Sequence, residues 1–186
     1  MRTTWVLLFV ILGLFSFVLT WLINCYNQII KSKNYMEDAW SGIEVQLKRR
    51  FDLIPQLLSM VKKYSQHEAD TLDRIISLRQ NSRAADDKKQ QQKDEQDLSQ
   101  YLRQFFVSVE AYPELTSNQN FLHLQQQLSE IENDIQLARR YFNGTVRNYN
   151  NLIKSFPSLI VAKHFNYPEA EYFELEDPKE AEVPKI

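Results

Sequence analysis

The feature that most constrains this chain is a long apolar repeat between Asn118 and Ser155. Apolar side chains fall at Phe121, Leu124, Leu128, Ile131, Ile135, Ala138 and Phe142, then at Tyr149, Leu152 and Phe156, with Thr145 in the missing place. The steps alternate three and four, a period of about 3.5, which is that of a helix packed in coiled-coil fashion. Val146 and Ile153 lie beside the seam and widen it into a face, as a bundle requires. Ser117 is placed to cap the start, and Pro157 to stop the end. At 1.5 Å per residue such a helix is roughly 57 Å long and needs partners of similar length.

The rest of the chain supplies them. Only 3 Gly and 6 Pro occur among 186 residues, too few turn formers for a sheet protein. The net charge of −2 gives no general attraction to nucleic acid. The single cysteine, Cys25, excludes an internal disulfide.

Trp5–Ile23 is a run of 19 residues without a charge. That is the length a helix needs to cross a hydrocarbon core of about 30 Å. Trp5, Trp21 and Tyr26 stand near its ends, where amphipathic rings favour the interface. A cleaved signal would need small residues before its cleavage site, and Leu22 and Asn24 stand there instead. Arg2 precedes the span, whereas Lys31 and Lys33 come after it, so the basic count leans towards a cytoplasmic location for the bundle.

With no Pro or Gly between Gly13 and Gly42, the membrane helix is expected to run on to about Phe51, carrying Met36, Trp40, Ile43 and Leu47 on one stripe. Asp52 reads as an N-cap and Pro55 as a first-turn residue, which predicts a chain reversal at Phe51–Asp52. A second helix would then carry Ile54, Leu58, Val61, Leu72, Ile75 and Ile76 to about Arg83, its stripe weakened at Ser65 and Glu68. Ala84–Asp97 has no apolar residue after Ala85 and reads as a solvated loop with a frayed helix start. A third helix bears Leu98, Leu102, Phe105 and Val109, and Ala111–Ser117 turns into the long fourth. After Pro157 the short apolar SLIVAKHF is expected to fold back on the bundle end. From Phe165 onward there are seven acidic and two basic residues, read as an acidic, disordered tail beyond about Glu174.

The expectation is therefore an all-α protein: an antiparallel four-helix bundle with coiled-coil-like packing, preceded by one N-terminal transmembrane helix. Its parts are a short tail at 1–4, the membrane helix at 5–25, the bundle at 26–165 and an acidic tail at 166–186.

Three stretches carry a resemblance: AWSGIEVQLKRRFDLIPQL at Ala39–Leu57, VEAYPELTSNQNFLHLQQQL at Val109–Leu128, and ARRYFNGTVRNYNNLIKSFP at Ala138–Pro157. They resemble the LemA family of bacterial membrane proteins, and with the anchor and Tyr26–Asn27 the likeness covers about Trp5 to Phe165. The resemblance implies an N-terminal membrane helix and an antiparallel helical bundle outside the bilayer, and the expected location is the bacterial cytoplasmic membrane, crossed once. It implies no reaction, active site or cofactor. Two departures matter. Some members bear a lipoprotein cysteine just ahead of the Tyr-Asn pair; Cys25 stands there, but Asn24 spoils the signal. The segment after Pro157 usually ends in a Gly-containing turn, and here it reads AKHFNY.

Candidate sites are few. A di-iron bundle needs Glu-x-x-His pairs, and none of His67, His123 or His164 has Glu three residues before it. His67–Glu68 begins a zincin-like pattern, but Thr71 stands where the second His would be. No metal, cofactor or catalytic residue is expected, and Cys25 is far in sequence from any His. The triplet Asn143–Gly144–Thr145 matches a glycosylation sequon but lies inside the predicted long helix. The basic cluster Lys48, Arg49 and Arg50, with Asp52 behind it, has two readings. One is a salt-bridged helix end, with Asp52 as cap and the arginines paired to Glu44 or Glu132. The other is a partner-docking patch. Arg139 and Arg140 lie on the long helix at a height that spacing leaves open.

Three functions are compatible with these features: a scaffold or adaptor for other proteins, a self-assembling structural or membrane-organising homo-oligomer, and an enzyme with an unrecognised site. In all three the lipid bilayer is a partner through the N-terminal helix.

Overall fold

The computed structural model describes residues 2–62, 69–84 and 87–173. These residues form six helices and no strand: α1 (Arg2–Val61), α2 (Ala69–Ala84), α3 (Lys88–Val109), α4 (Pro113–Thr116), α5 (Gln119–Lys154) and α6 (Ser158–His164). The expected weak points at Ser65 and Glu68, His67, and the tail beyond Phe173 lie outside the described residues.

The expected reversal at Phe51–Asp52 does not occur. α1 continues to Val61 with Pro55 inside it, so Ile54, Leu57 and Val61 belong to the first helix. Proline in a helix interior removes the N–H that would bond the carbonyl four residues back, here that of Phe51. The structure replaces that donor: Arg79 Nε on α2 donates to the Phe51 carbonyl at 3.0 Å. Asp52 is not a cap; it accepts from Lys48 Nζ at 2.8 Å.

The solvated loop expected over Ala84–Asp97 is also shorter than predicted. α3 begins at Lys88, and Asp87 caps it, its Oδ1 accepting from the Lys89 N–H at 3.2 Å. Gln, Lys and Glu favour helix, and polarity alone does not make a loop. The long helix is capped one residue later than expected. Asn118 Oδ1 accepts from the N–H groups of Asn120 (2.9 Å) and Phe121 (3.3 Å), while Ser117 closes α4 and its Oγ donates to the Glu114 carbonyl.

Two compact units divide the chain: Met1–Ser41 with Arg140–Tyr172, and Gly42–Arg139 with Phe173–Ile186. In the second unit one core is shared by Ile54, Leu57 and Val61 of α1, Ile75 and Leu78 of α2, Leu98, Leu102, Phe105 and Val109 of α3, and Phe121, Leu124 and Leu128 of α5. Leu115 of α4 seals into it.

In the first unit Cys25 and Ile29 of α1 pack with Tyr149 and Ile153 of α5 and with Val161 and Ala162 of α6. Trp40 meets Phe142 edge to face, ring centroids 5.3 Å apart. The apolar face of α5 departs here from the heptad seam. Beyond Arg139 the buried positions are Phe142, Thr145, Val146, Tyr149, Asn150 and Ile153. A straight helix drifts relative to a 3.5 repeat, and Phe156, the last expected seam position, is 78% exposed.

α6 ends in a Schellman motif. The Tyr167 N–H bonds the Ala162 carbonyl (3.0 Å) and the Asn166 N–H bonds the Lys163 carbonyl (3.3 Å), with Asn166 at φ 52°. The glycine turn that the resemblance implied is thus replaced by Asn166, one of the few side chains that tolerate this left-handed conformation. Residues 167–170 then lie against α5: Asn150 exchanges two 2.9 Å hydrogen bonds with the backbone of Ala170, and Tyr149 Oη donates to the Pro168 carbonyl at 3.1 Å.

Candidate functional site

The basic cluster singled out in the sequence lies in the interior of α1, and its members point in different directions. Residues one apart on a helix do not share a face. Lys48 and Arg49 are exposed. Lys48 pairs with Asp52 one turn on, and Arg49 Nη1 reaches Gln46 Oε1 (2.8 Å) and Asp134 Oδ2 on α5 (3.4 Å). Arg50 faces the core and is 1% exposed.

Around Arg50 three helices contribute polar groups. Its Nη1 donates to Ser99 Oγ on α3 (2.6 Å) and to Glu132 Oε2 on α5 (2.7 Å). Its Nη2 donates to the Glu95 carbonyl (3.1 Å) and is ion-paired with the Glu95 carboxylate. Ser99 Oγ in turn donates to the Glu95 carbonyl at 3.0 Å. The planar fork of a guanidinium suits such divergent acceptors, where an ammonium does not. Two buried atoms, Arg50 Nε and Glu132 Oε1, have no hydrogen-bond partner. Glu132 is therefore one of the pairings expected for these arginines. The Glu95 and Ser99 contacts are outside that expectation, because both residues fall in or beside the expected loop. A signal for them is present all the same: Glu95 stands three residues before Leu98, one further step of the same stripe.

A second cluster surrounds Phe51. The Arg79 guanidinium lies 3.6 Å from the ring centroid and that of Arg83 4.8 Å. Burial and the neighbouring Arg83 charge push the Arg79 pKa down, against the opposing influence of Asp52. Arg139, on the same unit's stretch of α5, is buried with its guanidinium 4.6 Å from the Phe173 ring centroid.

Chemically, these groups are committed to one another. The guanidinium and the Glu95 carboxylate are inside the core and Glu132 is partly exposed, so the arrangement joins α1, α3 and α5. Among the described residues, no three His, Cys, Asp or Glu side chains converge as a metal site would require. His123 and His164 are exposed, and Cys25 is buried. Asn143, Gly144 and Thr145 lie within α5, where Thr145 Oγ1 donates to the Phe142 carbonyl at 2.7 Å.

One helix among the described residues, α1, is long and apolar enough to cross a membrane, and the side chains of its apolar stretch are not buried within the protein. This fits a membrane anchor. The sequence is 22% identical over 173 residues to Protein LemA of Metamycoplasma hominis, a match covering 92% of this chain and 78% of that protein. The sequence profile of the LemA family matches residues 39–186. That match takes in most of the chain, both the core around Arg50 and the long α5, and on it the chain belongs to the LemA family.

Proposed function

We propose that this protein is a single-pass, membrane-anchored scaffold or adaptor that acts through protein contacts and carries out no chemistry of its own. The observation that supports the reading most is α1. Its charge-free stretch leaves side chains such as Phe9, Ile11 and Phe15 open to an apolar solvent, and the same helix supplies Ile54, Leu57 and Val61 to the core. Segments of α1, α2, α3 and α5 form an antiparallel four-helix bundle in this reading. The anchor sits in the bacterial cytoplasmic membrane with the bundle on the cytoplasmic side, in line with the excess of Lys31 and Lys33 over Arg2.

The docking patch is the outward face of α1 at Val45, Lys48, Arg49 and Asp52, which succeed one another at helical spacing. Val45, one helical turn before the two basic residues, is 58% exposed. Arg50 belongs to the core and not to this patch. The partner is a protein presenting acidic groups around a small apolar contact.

The test is a photo-crosslinking residue at position 45 in cells. Adducts with another protein that disappear in a Lys48→Glu, Arg49→Glu variant support docking here. Adducts between two copies of the chain support the self-assembling alternative. Adducts unaffected by the charge reversal show that Lys48 and Arg49 do not direct the contact, and the absence of adducts at position 45 overturns docking on this face.

A further inference from the structure

α6 has two apolar sides. Val161 and Ala162 turn inward against Cys25, Ile29, Tyr149 and Ile153, and Ser158 is buried too. On the other side Ile160 is 52% exposed, Phe165 just after the helix is 55% exposed, and Phe156 just before it is also exposed. Buried residues at 158, 161 and 162 already satisfy a short amphipathic helix in water. A second apolar side has no purpose there.

The position of that side is set by its neighbours. Ile160 and Phe165, with Val161 and His164, line a groove of 520 Å³ whose other wall is Leu22, Ile23 and Tyr26. The Tyr26 and Phe165 rings are 5.1 Å apart. Leu22 and Ile23 are also the last residues of the apolar run Trp5–Ile23. Whatever surrounds Leu22 and Ile23 therefore also reaches Ile160 and Phe165. Lys163 comes after Ile160 on the same short helix, as basic side chains do where apolar residues dip below lipid headgroups, and the His164 ring packs on Phe165, centroids 5.0 Å apart.

We infer that α6 and its flanks are a second membrane contact: a foot, built from Ile160 and Phe165 beside the end of the anchor, that enters the interface of the bilayer and closes the groove with lipid acyl chains. This rests on reading Trp5–Ile23 as the membrane span. A surface helix of this kind sits about 5–10 Å into the boundary between headgroups and acyl chains, so the foot is shallow where the anchor is deep.

The experiment uses the full chain with Cys25→Ser, reconstituted in vesicles of phosphatidylcholine and phosphatidylglycerol. An environment-sensitive fluorophore is placed in turn at Ile160→Cys, Phe15→Cys and Leu122→Cys, all exposed positions. Lipids carrying a nitroxide near the headgroup or near the chain end serve as quenchers. The expected result is blue-shifted emission at position 160 quenched most by the shallow nitroxide, quenching at position 15 by the deep one, and none at position 122. Quenching at 15 with water-like emission at 160 overturns the foot while leaving the anchor in place. Blue-shifted emission at 160 that neither nitroxide quenches also overturns it, since protein and not lipid then fills the groove. If position 15 is unquenched, the anchor reading fails and the foot fails with it.

Discussion

Replacing Arg79 with Met strips the Phe51 carbonyl of the donor that Pro55 cannot supply. The bond spans from α2 to α1 at 3.0 Å, and the same guanidinium stacks on the Phe51 ring. A hydrogen bond to a charged group contributes about 1.5–3 kcal/mol, and the half-buried setting places this one at the lower end. A cation–π contact at an exposed site adds about 0.5–1 kcal/mol. The variant should therefore lose about 2 kcal/mol, a fall in Tm of roughly 4–8 °C for a protein of this size. In a Pro55→Ala background the new N–H of residue 55 bonds the Phe51 carbonyl within the helix. Arg79→Met should then cost only the stacking, about 0.5–1 kcal/mol, and the two substitutions should couple by about 1 kcal/mol. The assay is denaturant unfolding of the full chain in mild detergent, monitored by far-ultraviolet circular dichroism, on the four proteins of the cycle. Equal losses in the two backgrounds would show that Arg79 does not compensate for the proline.

The other contacts carry expectations of their own. Arg50→Met leaves Glu95 and Glu132 in the core without their cation and should cost about 3–5 kcal/mol in the same unfolding assay; Arg50→Lys should recover only part of it, and a loss below about 1 kcal/mol for the Met variant would refute the buried network. Asn166→Val forces a β-branched side chain into the left-handed turn after α6 and should lose roughly 1–2 kcal/mol, whereas Asn166→Gly should lose nothing; thermal unfolding distinguishes them. Burial raises the Tyr149 hydroxyl above its usual 10.0. The unfolded chain then ionises first, so this contribution is intact below about pH 10 and is lost as pH rises through the folded value. Tyr149→Phe should flatten the fall in stability above about pH 10, at the loss of about 0.5–1.5 kcal/mol for the bond to Pro168; identical slopes would contradict this. Finally, with Cys25→Ser, a single Asn81→Cys should react with an impermeant maleimide only after cell lysis; labelling of intact cells would place the bundle on the other side of the membrane.

Regular spacing is the readable part of this chain. The stripe of α5 from Phe121 to Ile135 and that of α3 from Leu98 to Val109 are buried as their periodicity demands, and the apolar run of α1 is evident by composition alone. Sequence misleads where a local signal competes with a distant partner. Asp52 and Pro55 form a plausible helix start, and nothing near them in sequence announces that Arg79 will mend the backbone. The polar stretch before Leu98 hides Glu95, because a buried carboxylate looks like a solvated one until its cation is located. Arg50 is legible as a charge but not as a core residue: its direction depends on which face of α1 is covered, and that is a tertiary fact. The cap shifts from Ser117 to Asn118 because two adjacent residues are both competent, and α4 claims the first.

The contact of Arg50 with Glu95 and Glu132 also bears on how the helices find their alignment. Seams repeating every seven residues are degenerate under sliding, since a slip of one heptad sets apolar against apolar again. At Arg50 the degeneracy ends. A heptad slip of α5 would replace Glu132 with Gln125, which carries no charge, or with Arg139, which repels. A slip of α3 one way would set Leu102 against the guanidinium. Only one alignment of the three helices gives that cation its anions, so a single unfavourable-to-bury side chain serves as the zero mark on an otherwise repeating ruler.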